Sequence, residues 1–292
     1  MEYPRSFEVA DRAAQAHQRR FKMWKLLEYG SMLLAAVAGL VSPWLVGTVN
    51  VWALCVAVAL AAALLVLLVE KALDPRENWY RSRALAEAVK AETWRFACAG
   101  GEYRAGLPQE QAVNAFCSRV GVLHAEIDSA QATAQFLALG PEVTEEMLRL
   151  RAASFEERRG ALQAERVLDQ AEWYAAHAKV CSAKGHGLLV FSVVLLLIGL
   201  VLAVLQTLNL MVGTDVVTAL AAGALTLTGW SQFRRFDTLS LTYGRAANEL
   251  NSLAELVAAA STQQELESLL ETVESSTSKE HRVWVSRGEL TR

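Results

Sequence analysis

The sequence contains two long stretches that have no lysine or arginine. Residues 29–69 carry no charged side chain at all, and residues 187–233 carry one, Asp215. A helix needs about 20 residues to cross the hydrocarbon of a bilayer, and a charge at its centre costs about 2.5–3.5 kcal/mol on insertion scales. Each stretch has room for two such helices and has turn-forming residues near its middle: Pro43, Gly47 and Asn50, then Asn209, Gly213 and Asp215. The sequence therefore predicts four transmembrane helices in two hairpins, with a buried hairpin of a soluble protein as the alternative.

The sequence also lacks the signatures of common enzymes and nucleotide-binding folds. It contains no GxxxxGK[ST], no GxGxxG after a strand, no HExxH and no GxSxG. The four cysteines form no CxxC pair, and His177 and Cys181 have no further metal ligand at a useful spacing. Strand patterns of period two are absent as well. We therefore expect an all-α, non-enzymatic protein with no catalytic residue, metal, cofactor or bound nucleic acid.

Basic residues flank both apolar stretches at their outer ends, whereas the predicted turns inside the stretches have none. The flanking residues are Arg19, Arg20, Lys22, Lys25, Lys71, Arg76, Lys179, Lys184, Arg234 and Arg235. Loops rich in Lys and Arg stay in the cytoplasm. This asymmetry predicts a multi-pass protein whose two termini and middle segment, 71–185, are cytoplasmic, with membrane lipid as its surroundings.

Prolines are scarce, and three of the five lie between the two hairpins. Proline is well tolerated in the first turn of a helix, so Pro75, Pro108 and Pro141 predict helices over 76–99, 108–139 and 142–185. No proline follows Pro141. We therefore expect the helix from 142 to run into the third membrane helix, and the fourth to continue to about residue 273. A loosely ordered tail, rich in Ser and Thr, should follow.

The two halves of the chain share a short motif behind their hairpins. Arg83 and Glu87 lie in RALAE, and Arg245 and Glu249 lie in RAANE. Residues four apart on a helix share a face, where an arginine and a glutamate can pair. The matching position of the two motifs indicates a tandem duplication.

Longer patterns around these motifs resemble a known family. The first half contains Trp79, Arg83, Glu87 and Lys90 in a W-x-x-x-R-x-x-A-E-x-x-K-x-E run, and the second contains Arg166, Gln170, Trp173 and Tyr174 ahead of its hairpin. Both resemble the SLATT superfamily of prokaryotic two-helix membrane domains, annotated in part as DUF4231. The resemblance covers most of the chain as two modules in tandem. They correspond to residues 1–105 (hairpin 29–69) and 142–274 (hairpin 187–233), with a helical connector over 106–141 and a flexible tail over 275–292.

The resemblance implies a role as well as a fold. SLATT domains are associated with SMODS nucleotidyltransferases and SLOG nucleotide-sensing domains. The family implies a pore-forming or channel-like effector in the inner membrane of a bacterium. It would act in an anti-phage or conflict system, where a nucleotide signal is sensed. No sensor domain is fused to this sequence, so the sensor would be a separate protein. A membrane-anchored scaffold that recruits cytosolic partners without conducting is the alternative.

Polar and small residues recur along one face of the predicted fourth membrane helix. They are Thr214, Thr218, Ala221, Leu225, Thr228 and Gln232. Hydroxyl groups in one row can line water in a pore built from several protomers, which predicts a homo-oligomer. Small and hydroxylated residues are also common where membrane helices pack together, and this second interpretation stays open. Asp215, at the outer end of the helix, either contributes to a ring of charges or caps the helix.

Two further helix faces combine charged and aromatic residues. One has Arg83, Glu87, Lys90 and Trp94, and the other has Arg166, Gln170, Trp173 and His177. Such groups could hold the phosphate of a nucleotide. They could equally form a polar network that fixes how the helices pack, and we favour the network.

Overall fold

A computed structural model describes residues 1–38, 44–73, 75–127, 139–208 and 215–289 of the chain. Within these residues the chain is helical apart from one very short β-hairpin, so the predicted all-α fold is confirmed. The chain divides into two compact units. Unit 1 contains Met1–Arg19, Pro75–His177 and Thr242–Arg292, and unit 2 contains Arg20–Asp74 and Ala178–Leu241.

The elements follow each other with short connections. The helices are α1 (Arg5–Ala38), α2 (Val51–Leu73), α3 (Pro75–Ala97), α4 (Gln109–Glu126), α5 (Glu145–Ala152), α6 (Phe155–Ala161), α7 (Asp169–Thr207), α8 (Asp215–Arg234), α9 (Phe236–Ala259) and α10 (Gln263–Glu289). A 3₁₀ turn covers Gly101–Tyr103, and a π-helical segment, Leu162–Leu168, joins α6 to α7. The strands are β1 (Leu45–Val46) and β2 (Val49–Asn50).

Three helical stretches in the described residues are long and apolar enough to cross a membrane. They are Val51–Ala72, Phe155–Thr207 and Val216–Ala259. The remaining predicted span begins in α1 at residue 29 and continues past Ala38, outside the described residues. The fourth transmembrane helix and the orientation of all four therefore remain predictions.

The turn of the first hairpin is built from the residues that the sequence indicated. The strands β1 and β2 pair antiparallel, Val46 opposite Val49. Gly47 between them has φ +62°, a conformation that glycine adopts without steric cost. The Asn50 side-chain oxygen then accepts hydrogen bonds from the backbone N–H groups of Trp52 and Ala53, 3.1 and 3.3 Å away, and so caps the start of α2. Pro43 lies outside the described residues.

Small residues bring the helices of unit 2 close together. A Cβ on Gly223 of α8 would lie 3.8 Å from the Leu195 side chain of α7, and a Cβ on Gly199 of α7 would lie 3.7 Å from Leu220 of α8. Ala224, next to Gly223, is buried. Close approach through small residues is the usual way in which membrane helices associate. The second hairpin is therefore a packed pair, and this contact fixes which face of α8 points away from α7.

Charged and aromatic contacts connect α1 of the first hairpin to α2 and to α8. Lys25 of α1 forms ion pairs with Glu28 on its own helix and with Glu70 of α2, at 2.8 and 2.7 Å. The Tyr29 ring of α1 meets Trp230 of α8 edge to face, with the ring centroids 5.7 Å apart. The ion pairs lie just outside the uncharged stretch 29–69, where a charged side chain costs less than at the centre of a membrane helix.

The long helix predicted from residue 142 is interrupted. α5 begins at Glu145 and ends at Ala152, and Ser154 starts α6. The Ser154 hydroxyl accepts from the Glu157 N–H while the Glu157 carboxylate accepts from the Ser154 N–H, a reciprocal pair that begins a new helix. The sequence signature S-x-x-E was present at 154–157, and the prediction of one helix from 142 to 185 was wrong because it relied on the absence of proline.

The helix predicted to reach residue 273 is interrupted twice. Arg235 separates α8 from α9 with φ +49°, a left-handed conformation that is uncommon for a residue other than glycine. A second break follows α9, where the Thr262 hydroxyl accepts from the Glu265 N–H over 3.2 Å and caps α10. α10 then continues as helix to Glu289, through most of the segment for which we expected a loosely ordered tail.

Two apolar clusters form the core of unit 1. One collects α3, α9 and α10 around Trp94, with Leu250 and Leu270 among its buried members. The other collects α3 and α4 around Phe96 and Phe116. Trp94 and Phe96 are neighbours on α3, so α3 is the central helix that both clusters share.

Candidate functional site

Arg166 and Glu274 form a buried ion pair in unit 1. Arg166 Nε donates to Glu274 Oε1 over 2.8 Å, and Arg166 Nη2 donates to Oε2 over 2.6 Å. The two side chains are 1% and 2% exposed. Parallel bonds from the planar guanidinium to both carboxylate oxygens are the strongest form of this interaction. The remaining nitrogen, Arg166 Nη1, is buried without a hydrogen-bond partner among the residues that the structure describes.

The π-helical segment positions Arg166. Leu162 and Val167, on the same segment, are fully buried in the Trp94 core, so apolar packing holds the wide turn in place. Arg166 lies between them in sequence and is itself buried. Single π-helical turns inside longer helices are rare and occur frequently at functional sites. The local backbone therefore distinguishes this arginine from the other arginines on helical surfaces.

Four further residues complete a polar group around the ion pair. Lys90 Nζ lies 5.6 Å from the centroid of the Tyr3 ring and donates a long hydrogen bond, 3.4 Å, to Gln170 Oε1. Trp94 Nε1 donates to the Tyr3 hydroxyl over 3.2 Å. Burial, together with the nearby charge of Arg166, lowers the pKa of Lys90 below its usual value, and burial raises the pKa of Tyr3. We call this group the Arg166 cluster: Tyr3, Lys90, Trp94, Arg166, Gln170 and Glu274.

The Arg166 cluster joins the two motif faces found in the sequence. Lys90 and Trp94 come from the first face, and Arg166 and Gln170 come from the second. Sequence reasoning missed Tyr3 and Glu274. A signal for Glu274 was present, because it lies on the same face of α10 as Leu266, Leu270 and Val273, all of which are buried. A glutamate on an apolar face requires a cationic partner.

The other motif residues lie outside the cluster. Arg83 pairs with Glu87 as predicted and also approaches Asp11 of α1 at 3.7 Å. The corresponding Arg245 is exposed, while Glu249 accepts a hydrogen bond from the Ser276 hydroxyl of α10.

Aromatic motif residues stack on their helical neighbours. The Trp79 ring stacks on Tyr80, with centroids 5.0 Å apart, and the Trp173 ring stacks on His177 at 3.8 Å. Tyr174 is buried beside Tyr243 of α9. The rings of Trp173, Tyr174 and His177 pack α7 against Tyr243 of α9, so the second motif face has an aromatic part beside its charged part.

The predicted polar face of α8 stays exposed beside the other helices of unit 2. All five of its described members are exposed, and Leu225 is 72% exposed. We call this row the α8 face: Thr218, Ala221, Leu225, Thr228 and Gln232. Gly223, which packs against Leu195 of α7, lies on the opposite side. Thr214 and the Asp215 side chain lie outside the described residues, so their predicted roles stay predictions.

A polar pocket adjoins one end of the α8 face. It has a volume of about 360 Å³ and lies between α7, α8 and the start of α9, all within unit 2. Thr228 and Gln232 of the α8 face line it, together with Ser182, His186 and Asp237 among others. The hydroxyl, amide, imidazole and carboxylate groups of this lining can hydrogen-bond to water at the end of the α8 face near Gln232.

These features define the protein as a helical membrane protein with a second, charged helical unit. The chain belongs to the SLATT family, described as SMODS and SLOG-associating 2TM effector domains. The model of effector domain 3 matches residues 4–159, more than half of the chain, and that of effector domain 1 matches residues 163–284. The prediction of two different modules in tandem is thus confirmed. No curated protein and no solved structure gave a match.

Proposed function

We propose that this chain is an effector that forms an oligomeric pore or channel in the membrane, with the α8 face toward the axis. One observation carries the proposal: a continuous row on α8 stays exposed after the protomer has packed, and it bears hydroxyl and amide groups. The row lies on a helix apolar enough to cross a bilayer. Gln232 and the two threonines gain nothing from contact with lipid, whereas they can hydrogen-bond to water in a pore.

Several protomers are needed for such a pore. The second hairpin packs tightly at Gly199 and Gly223, which leaves no room for a path between α7 and α8 at this level. A ring with cyclic symmetry would bring one α8 from each protomer to a common axis. In this proposal both hairpins span the inner membrane of a bacterium, both termini are cytoplasmic, and the polar pocket beside Gln232 opens toward the cytoplasm.

The family supports a partner as well. The family is described as effector domains that associate with SMODS and SLOG. We propose that a separate nucleotide-sensing protein of an anti-phage system activates the pore through unit 1. The charged helices of unit 1 offer the contacts that such a partner requires.

A non-conducting membrane scaffold is the second candidate, and a specific observation favours it. The Thr228 hydroxyl donates to the backbone carbonyl of Ala224 over 2.8 Å, so its hydrogen-bonding capacity is partly used within its own helix. Threonines of this kind also serve at contacts between helices. In the scaffold model, the α8 face would be a packing surface between protomers and no ions would pass.

Ion flux from lipid vesicles tests the proposal with a matched pair of variants. Thr226 and Thr228 each donate to the carbonyl four residues earlier at 2.8 Å, but only Thr228 belongs to the α8 face. Thr228→Val and Thr226→Val therefore remove the same local bond. We expect Thr228→Val to slow the flux and Thr226→Val to leave it unchanged. Equal effects of the two substitutions on the ion flux would favour the scaffold. So would the absence of flux from vesicles that contain the assembled oligomer.

A further inference from the structure

The Arg166 cluster contains more positive charge than its carboxylate neutralises. Lys90 and Arg166 both lie in it, and both oxygens of Glu274 are occupied by Arg166. Lys90 instead donates to the neutral amide of Gln170, at the long distance of 3.4 Å. Removing a cation from water is unfavourable unless an anion compensates. Within the cluster Lys90 therefore has no carboxylate of its own, and the nearby charge of Glu87, which is ion-paired with Arg83, compensates it only in part.

The unsatisfied donors belong to the same group of residues. Arg166 Nη1 is buried and has no acceptor in the described part of the chain. The Tyr3 hydroxyl accepts the Trp94 N–H, which leaves its own hydrogen available to donate. Lys90 carries three N–H donors, and the only acceptor within bonding distance in the described residues is Gln170. These three groups each have at least one N–H or O–H without an acceptor in the described residues, which points to a ligand that supplies acceptors and negative charge.

We propose that the Arg166 cluster binds a phosphate-type oxyanion, held by Lys90 Nζ and Arg166 Nη1 with the Tyr3 hydroxyl as a further donor. Phosphate offers several acceptor oxygens and two negative charges, and arginine and lysine are the side chains that proteins use for it. Glu274 then acts as a positioning residue, because it fixes the guanidinium and leaves Nη1 directed at the ligand. Lys90 is partly exposed, so the anion has access from solvent.

The lowered pKa of Lys90 agrees with this assignment. Burial and the charge of Arg166 both disfavour the ammonium form in the unliganded protein. An anion between the two cations would reverse that effect and restore the pKa of Lys90 upward. The site does not depend on conduction, since it lies entirely within unit 1 and its occupancy is measured without a membrane potential.

Thermal unfolding of the full chain in lipid-free detergent provides the test. Inorganic phosphate is titrated against chloride at equal ionic strength, and the dissociation constant is taken from the rise in the unfolding midpoint. Lys90→Met should weaken phosphate binding about tenfold or more, and Lys90→Arg should largely restore it. Arg149→Met, which removes an exposed cation of the same unit, is the control and should bind as the wild type does.

A second variant separates binding from folding. Arg166→Met combined with Glu274→Met removes Nη1 without leaving an unpaired buried carboxylate, so the fold should survive while phosphate binding is lost. Equal stabilisation of the wild type, Lys90→Met and this double variant by phosphate would overturn the proposal.

A parallel titration with vesicles of phosphatidic acid identifies the source of the phosphate. Binding of inorganic phosphate in the absence of lipid assigns the site to a soluble ligand. Binding of phosphatidic acid alone, lost in Lys90→Met, assigns it to a lipid headgroup. Binding of neither anion means that water fills the position beside Arg166 Nη1 and that the proposal is wrong.

Discussion

The guanidinium of Arg166 lies edge to edge with the carboxylate of Glu274, two residues that are 108 positions apart in the sequence. The bonds join the π-helical segment to α10 inside the core of unit 1. Removing one member leaves the other charged and buried, which costs about 3–5 kcal/mol. The pair therefore adds a buried charged contact to the apolar packing of α10 through Leu266, Leu270 and Val273.

Single and double substitutions of this pair should differ sharply. We expect Arg166→Met and Glu274→Met each to lower the free energy of unfolding by about 3–5 kcal/mol, and the double variant to be close to the wild type. Denaturant unfolding of the full chain in detergent measures all three. A double variant as unstable as the sum of the two single variants would show that the residues stabilise the fold independently.

Gly185 of α7 should not tolerate alanine. A Cβ at this position would lie 2.9 Å from Asp237 Oδ1 and 3.1 Å from Phe236 Cβ, at the start of α9. Overpacking of this kind typically costs about 1–3 kcal/mol, so we expect Gly185→Ala to lower the thermal midpoint in detergent.

Gly187→Ala is the matched control for Gly185→Ala. Gly187 lies two residues further along the same helix, and an added Cβ there has no neighbour within 4 Å. Alanine is the better helix former by roughly 1 kcal/mol, so this control should be neutral or stabilising. A loss of stability in both variants would mean that flexibility of α7, and not the contact with α9, is required.

Cysteine reactivity should separate the α8 face from the other sides of α8. Thr218→Cys and Thr228→Cys are exposed positions about 15 Å apart along the helix, since each residue rises 1.5 Å. In an open pore both should react with charged, water-soluble thiol reagents and alter conductance. Leu220→Cys and Leu227→Cys, on the partly buried sides, should react far less.

The native cysteines must be replaced before this experiment, with one exception. Cys55, Cys117 and Cys181 are at least partly exposed, whereas Cys98 is buried. Burial raises the pKa of Cys98 to about 12, so it carries almost no reactive thiolate at neutral pH. Equal inertness of all four introduced cysteines in an active preparation would assign the conduction path to a helix other than α8.

Reporter fusions should place both the C-terminus and the middle segment in the cytoplasm. The absence of Lys and Arg between residues 29 and 69 and between residues 187 and 233 predicts this orientation. A reporter that is active only in the cytoplasm should give a signal both after residue 292 and when inserted near Gly140. A periplasmic signal from either position would contradict the four-helix topology.

The protein should be isolated from mild detergent as a ring-shaped homo-oligomer. The α8 face has small and hydroxylated side chains exposed to the surroundings of the single protomer, and contact between protomers or with water would satisfy them better than lipid does. Mass photometry or electron microscopy of the purified protein measures the assembly. A uniform monomer in detergents and in nanodiscs alike would rule out the pore.

The membrane helices and the helix starts could be predicted from sequence because their signals are local. Charge-free stretches located α2, α7 and α8, and Pro75 and Pro108 marked the beginnings of α3 and α4. The i, i+4 spacing of Arg83 and Glu87 was sufficient to predict their ion pair. In each case the necessary information lies within a few residues of the structure it specifies.

The rest depended on contacts between distant segments. No local pattern indicates that Arg235 adopts a left-handed conformation, since it is neither glycine nor asparagine. The π-helical turn follows from the burial of Leu162 and Val167 in a core that α9 and α10 complete. The Arg166 cluster likewise combines α3, α7 and α10 with Tyr3, so neither motif alone identified it.

The π-helical segment also sets the rotational phase between the helices on either side of it. Each residue of an α-helix turns the chain by about 100°, and a wide turn absorbs roughly one residue more than an α-helical turn does. Deleting one residue from Leu162–Leu168 would let the chain form a regular α-helix there. The same deletion would keep the buried side of α6 in line with that of Asp169–His177, because the wide turn already absorbs the additional residue. The additional residue therefore widens the backbone around Arg166, while one continuous chain presents its apolar side to the core both before and after it.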